Sequence, residues 1–187
     1  MKILLDIDGV LADFNGGVAR LFGLTPEELL SRIKPGEWSL EGPLGVTTKE
    51  FWKKIGEAGE DFWDNLEPYP WALDLYEVAL RFGDVCLLSS PSQDPSSWAG
   101  RVRWIQKHFG KKGYFENFLL GNPKGFCASP NSILIDDKNA NVRDFVDAHG
   151  HAILFPQIWN DNYHLPESDR LGYVTRQLED LEWMTKQ

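Results

Sequence analysis

Several things are scarce in this 187-residue chain. It has two cysteines, Cys86 and Cys127, too few for a disulfide framework and in no zinc-binding spacing, so both are expected to be free thiols. No apolar run approaches the ~20 residues of a membrane span. The start, Met1-Lys2-Ile3-Leu4-Leu5, meets an aspartate at once and leaves no signal-peptide apolar region. A cytoplasmic protein without a membrane partner is expected. Positive charge is also short, with 19 Lys and Arg against 28 Asp and Glu and a net charge of −9. That balance works against long nucleic acid as a partner, and any anionic substrate needs local help. There are no internal repeats or low-complexity tracts, and a 42% hydrophobic, 25% charged mix argues against disorder, collagen-like repeats and coiled coil.

Aromatic residues are plentiful: 8 Trp, 5 Tyr and 11 Phe make 13% of the chain, enough for some to line a pocket while others, such as Trp71 and Trp98, fill a core. Short apolar runs at residues 2 to 7, Val85 to Leu88, Phe118 to Leu120, Ile133 to Ile135 and Ala152 to Phe155 read as buried strands. Between them Trp71, Leu75, Val78, Ala79 and Phe82 repeat at helical spacing before Gly83, and Trp98, Val102, Ile105 and Phe109 do so before Gly110, each glycine suiting a helix C-cap. A further helix fits Asn139 to Ala148, stopped by Gly150. Strands alternating with helices predict an α/β fold, a doubly wound, Rossmann-like parallel sheet of about five strands, with ligands at the strand C-terminal ends near a topological switch point.

One connection breaks that rhythm. From Phe14 to Pro70 there are 57 residues without a good strand, far beyond the ~12 to 15 of an ordinary structureless loop. The stretch is expected to fold as a small helical cap inserted after the first strand, over residues 14–70, with residues 1–13 and 71–187 forming the core. Thr25-Pro26-Glu27-Glu28 and Thr47-Thr48-Lys49-Glu50 match the capping box, Lys34-Pro35-Gly36 ends the first cap helix, and Leu66-Glu67-Pro68-Tyr69-Pro70 is a stiff return.

Chemistry-bearing residues fall at the strand ends. The first strand ends Asp6-Ile7-Asp8-Gly9-Val10, and Asp136-Asp137 ends another 130 residues later. In a parallel sheet both pairs lie on one edge. Like charges brought together raise one another's pKa unless a cation sits among them, and carboxylate oxygens suit Mg²⁺. Ser89-Ser90-Pro91 follows the second strand and Lys124 lies in the loop Gly121-Asn122-Pro123-Lys124-Gly125. Hydroxyl, amide and ammonium donors beside a cation make a phosphate cradle.

Asp6-Ile7-Asp8-Gly9-Val10, Ser89, Lys124 and Asp136-Asp137 resemble, in order and spacing, the four motifs of the haloacid dehalogenase superfamily of phosphohydrolases. Asp6 to Phe14, Asn65 to Pro70, Ser89-Ser90-Pro91, Arg101 to Ile105, Leu134 to Asp137 and Ile153 to Phe155 resemble more closely the 5′(3′)-deoxyribonucleotidases. The resemblance implies Asp6 as the nucleophile that becomes an aspartyl-phosphate, and Asp8 as the acid and base. It implies Mg²⁺ held by Asp6, the Asp8 backbone carbonyl and Asp136, with Asp137 orienting the site. Ser89, Ser90, Lys124 and Arg101 are implied to bind phosphate, and Phe14, Trp38, Phe62 and Trp63 to enclose base or sugar. Trp52 is read as cap core. The implied substrate is a small nucleoside monophosphate. Alternatives are a 3′-phosphatase acting on nucleic acid ends, a phosphosugar phosphatase, and a non-catalytic phospholigand-binding module.

The chain departs from the family pattern at three places, one of them Ser92-Gln93-Asp94-Pro95, which lacks the lysine the family often carries after the Ser-Pro turn. Glu37 stands where an aromatic is usual, able to repel phosphate or accept a hydrogen bond from a base, and Arg101 replaces a lysine with a forked cation. Arg103, Lys107 and Lys111, four apart, read as a solvated stripe. His108, His149, His151 and His164 show no metal spacing and are read as structural or surface residues, and Asn160 and Asn162 as surface loop.

Overall fold

The computed structural model describes residues 1–185. Five strands, β1 (Lys2–Leu5), β2 (Asp84–Ser89), β3 (Phe118–Leu120), β4 (Ser132–Asp136) and β5 (His151–Leu154), pair entirely in parallel in the order β3-β2-β1-β4-β5. The chain leaves β1 for β2 and β3 on one side, then crosses back to β4 and β5 on the other. The switch point is therefore between β1 and β4, where the register pairs Leu5 with Ile135. Continuous apolar strands follow from this topology, since helices cover both faces and β4 is buried along its whole length.

Core helices α5 (Ala72–Leu80), α6 (Pro95–Phe109), α7 (Asn139–Asp147) and α8 (Arg170–Thr185) lie after the insert. The glycines do not all end helices as expected. Gly83 lies three residues beyond α5, Gly110 caps α6 in extended rather than left-handed backbone, and past α7 it is His149 that adopts positive φ. Trp71 is buried, its indole donating to the Val10 carbonyl at 2.9 Å. Trp98 corrects the expectation of a core residue: it sits on the outer side of α6, 41% exposed, with its indole bonded to the Ser92 carbonyl. Arg103 pairs with Glu60 at 2.7 Å and Lys107 reaches the Asp64 carbonyl, so these members of the basic stripe bridge helices. None of the four histidines belongs to a metal-ligating group among the described residues.

The insert carries α1 (Phe14–Leu21), α2 (Pro26–Arg32), α3 (Glu41–Leu44) and α4 (Thr48–Asp64), and no strand of the sheet. Both expected capping boxes form, Thr25 with Glu28 and Thr47 with Glu50, and Pro26 opens α2. The outgoing and returning chains are pinned together: Asp13 donates to the Glu67 carbonyl and Tyr69 to that of Leu11, each at 2.8 Å. Helix α4 then packs along α6, and Gly100 sets how closely. A Cβ there would sit 2.6 Å from both the Glu60 carbonyl oxygen and Trp63 Cβ. Gly100→Ala is expected to cost about 1 to 3 kcal/mol in urea unfolding despite alanine's better helix propensity. Gly42→Ala in α3, with open space around its Cβ, is expected to leave stability unchanged or slightly raised.

Candidate active site

The ends of β1 and β4 bring the carboxylates together. After Asp6 the chain turns tightly, the Ile7 carbonyl accepting from Val10, Leu11 and Ala12. Gly9 is required here, with φ +78° and a position at which a Cβ would meet Asp137 Oδ2 at 2.0 Å. One carboxylate oxygen from each of Asp6, Asp136 and Asp137 falls within 4.8 Å of the others, all three residues buried. Lys124 opposes them, its Nζ 2.7 Å from Asp6 Oδ1 and 2.6 Å from Asp136 Oδ2.

Burial, then the neighbouring Asp136 charge, pushes the Asp6 carboxyl up to about 8 against the opposing pull of Lys124. Asp137 is held well above the carboxylate range by burial and by Asp136 and Asp6. Burial alone would lower Lys124, but the two carboxylates beside it outweigh this and hold it above its usual value. Asp136 is the best supplied with donors: Lys124, the amide of Asn141 at 3.0 and 3.1 Å, and the Lys138 N–H at 2.9 Å. On Asp6 both the Ile7 N–H and Lys124 approach Oδ1, leaving Oδ2 clear of these donors. Asp137 Oδ2 accepts from the Trp159 indole, while its Oδ1 is buried without a partner among the described residues. Three acids against one lysine, with one orphaned buried oxygen, fit a hard divalent cation that the group could hold.

Four other predicted residues lie around this centre. Ser89, fully buried at the end of β2, has a hydroxyl with no partner. Ser90 lines the cavity beside it and bonds weakly to the Gly121 carbonyl. The Asp8 carboxylate is not part of the three-acid group and pairs with Arg101, whose Nη2 donates to Asp8 Oδ1. Arg101 is thus buried against the acid instead of forming the cavity wall.

Over the carboxylates opens a cavity of about 830 Å³, floored by Asp6, Asp8 and Asp137 and walled on the insert side by Phe14, Trp38, Trp52 and Trp63. Phe14 stacks on Trp63 at 5.7 Å, and Trp38 is half exposed with Lys138 Nζ 5.3 Å from its ring. Phe62 is a correction: it packs edge-on behind Phe14 and Trp63, at 5.8 and 5.0 Å, and does not line the cavity. Trp52, read as core, is a second correction, 43% exposed and in the wall beside Phe51. Glu37 points to Lys34 on the surface, and the acid of the insert that lines the cavity is Glu41, tied to Ser39 at 2.7 Å.

Sequence reasoning missed the loop after β5. Asn160, assigned to the surface, is fully buried and donates to the Asp137 and Phe155 carbonyls at 2.7 and 2.8 Å. Gln157 holds the Gly9 carbonyl at 2.5 Å, and Trp159 holds Asp137. The signal available was three hydrogen-bonding side chains within four residues, Gln157, Trp159 and Asn160, directly after an apolar strand.

The model of the family described as 5′ nucleotidase, deoxy (Pyrimidine), cytosolic type C protein matches residues 1–175. The chain is 32% identical over 177 residues to a mitochondrial 5′(3′)-deoxyribonucleotidase of Mus musculus, covering 88% of this chain and 76% of that protein. It is 29% identical over 184 residues to the human cytosolic-type enzyme, covering 91% and 87%. A haloacid dehalogenase-like hydrolase from Xanthomonas campestris shares the fold with a TM-score of 0.59 at 12% identity, covering 98% of this chain and 92% of that one. With the acid pairs, Ser89 and Lys124 assembled at the switch point of a fold shared with such hydrolases, the chain belongs to this deoxyribonucleotidase family of phosphoric monoester hydrolases.

Proposed function

We propose that the protein is a Mg²⁺-dependent phosphatase of nucleoside monophosphates, chiefly 5′(3′)-deoxyribonucleotides, working through an aspartyl-phosphate on Asp6. The observation that carries this is the junction of two unlike surfaces: a buried Asp6, Asp136 and Asp137 group, opposed by Lys124, of which Asp6 and Asp137 reach the cavity floor, and an aromatic wall opposite. The floor suits a phosphoryl group, and aromatic faces stack on bases for about 1 to 3 kcal/mol each. In this reading residues 14–70 act as the cap that supplies the wall.

Asp6 Oδ2, free of the donors that hold Oδ1, is the attacking oxygen. It forms a bond to phosphorus as the bond to the ester oxygen breaks, and Asp8 gives that oxygen its proton. Asp8 then takes a proton from the water that attacks the aspartyl-phosphate, returning Asp6 and releasing phosphate. Ser89, Ser90 and Lys124 bind the phosphoryl oxygens and offset charge that grows in the transition state. Asp6, Asp136 and Asp137, whose carboxylate oxygens converge, would hold Mg²⁺ together with the Asp8 carbonyl, and the ion would screen the repulsion between nucleophile and phosphate. Phe14, Trp38 and Trp63, joined by Trp52, enclose the nucleoside.

A panel of 5′ and 3′ monophosphates, with and without the 2′-hydroxyl, is expected to show fastest turnover of deoxyribonucleotides. Rapid hydrolysis of a phosphosugar with none of any nucleotide would overturn the substrate assignment. Asp6→Asn keeps the shape of the neutral acid and is expected to fold normally while kcat falls by about a thousandfold or more. Near-normal turnover in that variant would remove Asp6 as nucleophile. The raised Asp6 pKa sets a pH dependence. With the folded value about 8 against 3.8 for the free group, the folded protein without metal retains a proton that the unfolded chain has lost. Its contribution to stability therefore declines as pH rises between those values. Proton and cation compete for the same oxygens, so the rise in thermal midpoint produced by Mg²⁺ relative to EDTA is expected to be larger at about pH 8.5 than at about pH 5.5. An equal rise at both would place the ion elsewhere.

A further inference from the structure

Asp8 stands in the turn after β1, three residues beyond the last strand residue, where nothing in its own loop is bonded to its carboxylate among the described contacts. What does fix it comes from 93 residues away: Arg101 of α6, whose Nη2 donates to Asp8 Oδ1. Arg101 is itself immobilised. Its side chain is 1% exposed, and its guanidinium lies 5.4 Å from the Trp63 ring and 5.7 Å from that of Trp104. Trp104 is anchored in turn by its indole bond to the Leu66 carbonyl at 2.7 Å. Gly100, the preceding residue, is what brings α6 against α4 and so brings Trp63 onto Arg101. A buried arginine is costly unless paired, and among the described residues Asp8 is the acid it pairs with, through Nη2, while Nη1 is buried without a partner.

From this the geometry points to Arg101 as a positioning residue that holds the Asp8 carboxylate where it meets the leaving oxygen, with the insert's Trp63 as one of the braces that fix the guanidinium. This rests on the reading of Asp8 as acid and base. As Asp6 Oδ2 bonds to phosphorus and the phosphorus to ester-oxygen bond breaks, the proton passes from Asp8 to that oxygen and leaves a carboxylate, which the adjacent guanidinium holds by charge. Trp63 also lines the cavity beside Phe14, so one side chain both touches the nucleoside space and braces the arginine that aims the acid.

The test compares leaving groups, because proton delivery matters for an alcohol and little for nitrophenolate. In Arg101→Met, kcat/KM for a deoxynucleoside 5′-monophosphate is expected to fall about 10- to 100-fold, while that for 4-nitrophenyl phosphate falls less than about threefold. Asp8→Asn is expected to show the same selectivity, and the double variant to be no worse than Asp8→Asn alone. Arg101→Lys, which keeps the charge without the fork, should fall between wild type and Arg101→Met, and it carries the comparison if Arg101→Met does not fold. Equal losses on both substrates, or additive losses in the double variant, would overturn the positioning role and return Arg101 to phosphate binding or packing. Asp8→Asn without leaving-group selectivity would instead remove the acid role of Asp8, a failure separable from that of Arg101.

Discussion

Burying Asp6, Asp136 and Asp137 side by side puts three acids against the single charge of Lys124, and the surrounding architecture follows from keeping that arrangement in place. In a low-dielectric site the repulsion is met by protons, by donors or by a cation, and the structure supplies donors unevenly. Asp136 is saturated by Lys124, Asn141 and the Lys138 N–H, whereas Asp137 keeps an unpartnered oxygen and Asp6 one clear of the donors on the other. The unevenness is useful. The supplied acid is fixed, and the under-supplied ones retain oxygens for a ligand. The loop after β5 belongs to the same device, since Gln157, Trp159 and Asn160 hold the backbone and side chains around Gly9 and Asp137.

The helical insert answers a different requirement. In the proposed reading it lets a phosphate site at the open edge of a sheet distinguish what carries the phosphate. Residues from α1 to α4 place Phe14, Trp38, Trp52 and Trp63 opposite the carboxylates and build a cavity with one charged end and one aromatic end. The insert stays in register with the core through two contacts of different character. The backbone pairing of residues 11–13 with 67–69 fixes its root. The close seam between α4 and α6 at Gly100 fixes its body. Arg101 lies on that seam, so the position of Asp8 and the position of the insert share a side-chain network.

Much of this was legible in the chain because strands, caps and strand-end acids are local signals. All five strands were recognisable as short apolar runs, and the capping boxes at Thr25 and Thr47 formed as their spacing required. Convergence of Asp6 with Asp136 followed from parallel strands having their C-terminal ends on one edge. Helix α8 went unread, with polar residues interrupting its apolar pattern. Trp98 and Trp52 were misplaced, and so was Phe62, because periodicity marks which residues share a helix face and cannot say whether that face meets a core, a cavity or solvent. Asn160 looked like loop polarity, and only the fold turned it inward onto Asp137.

The sequence by itself determined the strands, a helical stretch between the first two of them and which acids stand at strand ends, since these depend on short-range pattern and on residue chemistry. Tertiary structure alone decided which oxygen of each acid is occupied, which aromatics face the cavity and that Arg101 lies against Asp8. Those outcomes depend on approach distances between elements far apart in the chain, 93 residues for Arg101 and Asp8 and 118 for Lys124 and Asp6. Where Gly100 lets two helices touch, a difference of one methyl group sets the distance.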